Sequence, residues 1–80
     1  MSRVVVDRLR KKYVELRETM YEIMLNRVSW ATGGRDTLDS ATPEQIQEWE
    51  RHGDSMMACY HQAEAIDRRL RVMYSEWEER

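Results

Sequence analysis

His52 and Cys59 are the two residues in this 80-residue chain best suited to hold a metal, seven positions apart on one face of a long helical pattern. Seven residues is two helical turns, so a shared ion needs ligands from a second chain. The simpler reading makes both of them seam residues, with Cys59 packing as a small hydrophobe. A carboxylate-bridged di-metal bundle wants Glu-x-x-His on a helix. That tetrapeptide is missing, since Glu48 and His52 are four apart. His61 falls on the outer face beside Glu64 and reads as solvated. Cys59 as a nucleophile lacks an acidic orienter near either histidine, and a long helix offers no oxyanion hole. Gly33-Gly34 lacks the Lys-Ser/Thr that completes a phosphate loop. No catalytic residue, cofactor site or metal site is assigned, and the chain does not read as an enzyme.

Two further residue groups suit contact with a macromolecule. Arg8, Arg10, Lys11 and Lys12 form a basic run that can meet phosphate if no acidic segment covers it. The formal charge of −2 opposes a generally basic nucleic-acid binder. Trp30, Trp49 and Trp77 are of a type that dominates protein interfaces. Trp49 and Trp77 occupy seam positions, which leaves Trp30 as the interface candidate.

The elements that carry these residues are two helices. From Thr42 onward the apolar spine is Trp49, Met56, Ala63, Leu70 and Trp77. Parallel rows run through His52, Cys59, Ile66 and Met73, and through Gly53, Tyr60, Asp67 and Tyr74. A strict seven-residue repeat predicts a coiled-coil helix lying along another helix. Its start is marked by Thr42-Pro43-Glu44-Gln45, with Thr at the N-cap, Pro at N1 and Gln at N3. Gly53 is a soft spot, costing about 1 kcal/mol relative to Ala. The row stays in phase across it, so a continuous helix of residues 43–79, about 55 Å long, is expected. Gly53→Ala then stabilises, unless the chain breaks there or another element crosses close by.

The first helix is expected over residues 2–31, with Ser2 as N-cap and a spine of Val6, Leu9, Tyr13, Leu16, Met20 and Ile23. Arg27 interrupts that row. Val14, Tyr21, Leu25 and Val28 widen the apolar arc beyond what one partner helix covers. With Trp30 they are the candidate interface. Between the helices, two readings stay open. In one, the helix reaches Thr32 and Gly33 supplies a left-handed C′ residue. In the other, residues 28–32 and 35–39 pair as short strands around Gly33-Gly34. An isolated ribbon is marginal in water, which favours the helix.

Charge selects the antiparallel arrangement. Arg8 to Lys12 sit at the start of the first helix, and Glu76, Glu78 and Glu79 at the end of the second, each opposing its own dipole. Folding the ends together offsets both, and sets Arg3 near Glu78 and Arg17 near Glu64. The expected fold is therefore all-α: one antiparallel two-helix hairpin domain, its stability supplemented by self-association because so short a chain supports only about 3–5 kcal/mol. The partners expected are further copies of the chain or another protein, ahead of nucleic acid. Val4-Val5-Val6 is too short for a membrane span or a secretory core, which places the protein in the cytoplasm, or in a host cytoplasm or virion.

The stretches KKYVELRETMYEIM, RVSWATGGRDTLDSAT and PEQIQEWERHGDSM, from about Lys12 to Met57, resemble the small head–tail joining proteins of tailed phages, of the gpW type. The resemblance is one of pattern. It implies a helix, a short β-hairpin and an antiparallel helix assembled into a ring, and it assigns no site residues. The long second helix, and Asp36 and Asp39 in the second strand, depart from it. A non-enzymatic assembly module is the expected function, with a small binder that occludes a partner protein as the alternative.

Overall fold

The computed structural model describes residues 3–78, with side chains through residue 75. Two helices, α1 (Arg3–Thr32) and α2 (Pro43–Glu78), pack along each other as an antiparallel hairpin with Cα extents of 59 × 15 × 13 Å. Ser2, and the side chains of Trp77 and Glu78 to which the expected cap, seam and ion pair were assigned, lie outside the described residues.

The tip of the hairpin is built by local rules. Gly33 adopts φ +73°, and the Gly34 N–H donates to the Ser29 carbonyl at 2.8 Å, six residues closing the end of α1. This is the left-handed C′ termination expected from Gly33, and it settles the choice between helix and hairpin. Among the described residues there is no strand, including at 28–32 and 35–39. Thr32 is buried, where its hydroxyl donates to the Val28 carbonyl at 2.7 Å and accepts from the Arg35 N–H at 3.1 Å. The chain enters α2 through the expected reciprocal cap. Gln45 N–H donates to Thr42 Oγ1 at 3.2 Å, and Thr42 N–H donates to Gln45 Oε1 at 3.0 Å. Because an alanine at residue 33 must hold a conformation that costs L-residues about 1–2 kcal/mol, Gly33→Ala is expected to destabilise by that amount. A thermal melt unchanged by the substitution would contradict the assignment.

The core is a single seam. Val6, Leu16 and Ile23 of α1 are buried, Ala31 closes it at the tip, and Ala63 of α2 is only 3% exposed. Leu9, Tyr13 and Met20 are half-buried, as are Trp49, Met56, Cys59 and Leu70. Cys59 thus sits in the seam as expected but keeps an accessible edge. No large side chain among the described residues falls below 2% exposure, because two helices cannot enclose anything without a third.

The expected interhelical pair of Arg17 with Glu64 is corrected by the structure. Every ion pair among the described residues lies within α2: Arg51–Glu48 at 3.1 Å, Arg68–Glu64 at 4.0 Å and Arg71–Asp67 at 3.0 Å. Arg17 does not reach Glu64. It is held instead by two hydroxyls one turn away on its own helix. Helix orientation is therefore set by the buried seam and the short connection, with exposed charges contributing little.

Candidate protein–protein interface

Viewed along the seam, the two flanks of the hairpin differ. On one, Trp30 lies with its ring 5.3 Å from the His52 ring. On the other, Arg10, Arg17 and Arg27 of α1 lean toward the α2 row that contains Gly53, Tyr60, Asp67 and Tyr74. Arg10 Cζ is 5.7 Å from the Tyr74 ring centroid. Shallow grooves follow this second flank, one lined by Arg10, Tyr13, Val14 and Asp67, the next by Arg17, Tyr60 and Glu64, and the third by Arg27, Gly53 and Met57.

Arg17 organises the middle of that face. Its Nη1 donates to the Tyr13 hydroxyl at 3.1 Å and its Nη2 to the Tyr21 hydroxyl at 2.8 Å. The guanidinium lies 5.3 Å from the Tyr21 ring centroid and 5.8 Å from that of Tyr13. Its pKa is raised above the ordinary value, first by the hydrogen bond it donates to Tyr21 and then by the charge interactions with both tyrosines. Arginine is charged at any relevant pH, so the consequence is geometric. One cation fixes two aromatic rings on the surface of α1.

At the tip end, Arg27 is the residue that interrupted the apolar row. Its guanidinium crosses to α2, donates to the Trp49 carbonyl at 2.7 Å and lies 3.7 Å from the Trp49 ring centroid. It occupies the space over Gly53: a β-carbon built there would be 2.9 Å from Arg27 Cζ and closer still to Nη2. Gly53 is buried within an unbroken helix. Gly53→Ala therefore meets the stated exception to stabilisation, since a side chain from the other helix lies in the space a methyl group would take. Arg27 Nε is buried without a hydrogen-bond partner, so the fit has a cost.

The candidate interface residues divide between the flanks. Val14, Tyr21 and Leu25 are exposed, Leu25 at 77%, and Val28 is half-buried in the same region of α1. Trp30 is exposed but turns toward His52 on the other flank, so it does not join them. The structure adds Met24, Met57 and Tyr60, each about half exposed. Tyr60 was read as a seam residue from its spacing. Met57 stands alone in a row of charges (Glu50, Glu64, Arg71), so its significance appears only once α1 is laid beside α2.

No group of three or more His, Cys, Asp or Glu side chains capable of holding a metal ion occurs among the described residues. Among the described residues no helix is long and apolar enough to cross a membrane. No protein-family model matches the chain, and no solved structure matches it.

Proposed function

We propose that the protein is a non-enzymatic helix–helix assembly module, and that the Val14–Tyr21–Leu25 face of α1, together with Met57 and Tyr60 of α2, is its contact surface. The observation that carries this reading is the exposure of Val14, Tyr21, Leu25, Met57 and Tyr60, each with about half or more of its surface uncovered. Exposed apolar side chains scattered singly are ordinary. A row of them along two adjacent helices, punctuated by an arginine already bonded to two tyrosines, has the composition of an interface centre. A ring-forming adaptor of the head–tail joining type is one assembly of this class, and it would show itself as a discrete particle of many protomers.

A photo-reactive benzoylphenylalanine placed at Leu25, in the cell that makes the protein, tests the surface. The expected result is a covalent protein adduct on irradiation that does not form when the probe replaces Gln62, an exposed polar residue outside the proposed face. Equal or absent cross-linking at both positions would overturn the proposal. An adduct to a different protein supports the occluding-binder form of the same reading, and an adduct to the chain itself supports assembly.

A further inference from the structure

Beyond that reading, and at a different place on the molecule, we infer that the open end of the hairpin binds duplex DNA through its phosphate backbone. The distribution of charge is the first observation. Residues 1–14 and 66–80 hold nine Lys or Arg against five Asp or Glu, while residues 15–65 hold four against ten. The formal charge of −2 therefore hides a positive end on a negative body.

The packing of the helices supplies the second observation, because the acidic run does not cover the basic one. Arg10 shares its groove with Asp67, Leu70, Arg71 and Tyr74, so the turns of α2 level with Arg8 to Lys12 carry Arg68, Arg69 and Arg71. Glu76, Glu78 and Glu79 come after Tyr74 in the chain, so the acidic run begins past the level of Arg10. Asp67, the one carboxylate among the described residues of that groove, is taken by Arg71 at 3.0 Å. Among the described residues Arg8, Arg10, Lys11, Lys12 and Arg69 make no ion pair, and all five are exposed.

The placement of these cations selects the partner. Lys12 precedes Trp30 by eighteen residues, about five helical turns, so it shares the flank on which Trp30 meets His52. Arg8 lies one turn from Lys12 on that flank. Arg10 lies on the opposite flank, and the exposed Lys11 falls between them on the outer side of α1. A flat anionic membrane meets one side of a helix, and favours Trp, Phe or Leu beside the cations. The large apolar side chains exposed on these turns are valines, Val4, Val5 and Val72. The major groove of B-DNA, about 12 Å wide, admits a helix between two walls of phosphate. There the cations of both flanks and of the outer side all find partners. The negative body is repelled and projects away from the duplex. Contacts to phosphate alone carry no sequence information, so the binding is independent of base sequence.

The full chain, titrated into a fluorescently labelled duplex of about 20 base pairs and read by anisotropy, tests this. With about four phosphates neutralised, a log–log slope of about −3.6 against salt is expected, or roughly 100-fold weaker binding at 200 mM than at 50 mM. Arg8→Gln/Lys11→Gln/Lys12→Gln should bind at least about tenfold more weakly at 50 mM, with a slope near −1. Circular dichroism of that variant should match the parent. Lys11→Gln alone should make the slope about 1 unit shallower. Arg35→Gln, which removes a cation at the tip, should bind as the parent does. No anisotropy change at 50 mM salt with about 100 µM protein would overturn the inference, since non-specific binders reach half-saturation by then even at physiological salt. So would a slope that Lys11→Gln and the triple variant leave unchanged, or an equal loss in Arg35→Gln. Tighter binding to phosphatidylserine-containing vesicles than to the duplex would overturn it in favour of a membrane surface.

Discussion

Replacing Leu16 with alanine is expected to leave the isolated hairpin only marginally stable at 25 °C. Leu16 is 7% exposed at the middle of the seam between the two helices. Removing a buried leucine side chain costs about 2–5 kcal/mol, with the low end applying where neighbours can close the gap. A two-helix seam relaxes more readily than an enclosed core, so about 2–3 kcal/mol is the relevant part of the range. A single chain of this size holds only about 3–5 kcal/mol in total. The loss therefore consumes most of the margin. Helical circular dichroism should be lost at a lower temperature, and the shift should shrink with rising protein concentration if paired protomers supply the missing stability. A melting temperature within a few degrees of the parent would refute the single-seam account of stability.

The second large effect is a change of sign. In the parent chain Gly53→Ala is expected to destabilise by about 1 kcal/mol or more, although alanine alone gains about 1 kcal/mol in a helix interior. The new methyl group displaces the Arg27 guanidinium from Gly53. That forfeits a charged hydrogen bond to the Trp49 carbonyl, with net contributions of this kind about 1.5–3 kcal/mol, and the contact with the indole, about 0.5–2 kcal/mol. In an Arg27→Ala background the obstruction is gone, and the same substitution should stabilise by up to about 1 kcal/mol. Chemical denaturation of the four proteins in this cycle measures the coupling directly. If Gly53→Ala stabilises both backgrounds equally, Arg27 does not hold that position. If it destabilises both, the restriction comes from the backbone and not from the arginine.

What could be read from the sequence was whatever depends on near neighbours. Thr42 and Gln45 are three residues apart, and Gly33 closes on Ser29, so their geometry follows from local chemistry whatever the rest of the chain does. The seam was legible because a seven-residue repeat leaves few ways to bury Val6, Leu16, Ile23 and Ala63. Arg27 was not. As a charge in an apolar row it looked like a defect, because its partners are a backbone carbonyl 22 residues away and a side chain that Gly53 lacks. The Arg17–Glu64 pair failed for the opposite reason. The seven-residue recurrence of arginines and glutamates is real, but exposed side chains bond to whatever lies one turn along, and for Arg17 that is a pair of tyrosines. Half of the candidate interface was visible on α1. The other half, Met57 and Tyr60, depends on which flank of α2 is presented, and no pattern within α2 alone decides that.

The contacts of the hairpin are nested, each enclosing the one before: Arg27 with Trp49, then Arg17 beside Tyr60, then Arg10 over Tyr74. Once the capped turn has formed, each further contact extends a closed loop by only a few residues, and the entropic increment per step is small. Such a chain closes like a zipper from Gly33 outward and belongs among the fast-folding topologies. The same nesting grades its resistance to opening. The Arg10–Tyr74 end can separate while the Arg27–Trp49 end stays shut, so amide exchange should slow progressively along both helices toward the turn. A chain of this kind has no single breaking point; it frays from the far end inward, and the arginine lodged over Gly53 is among the last contacts to let go.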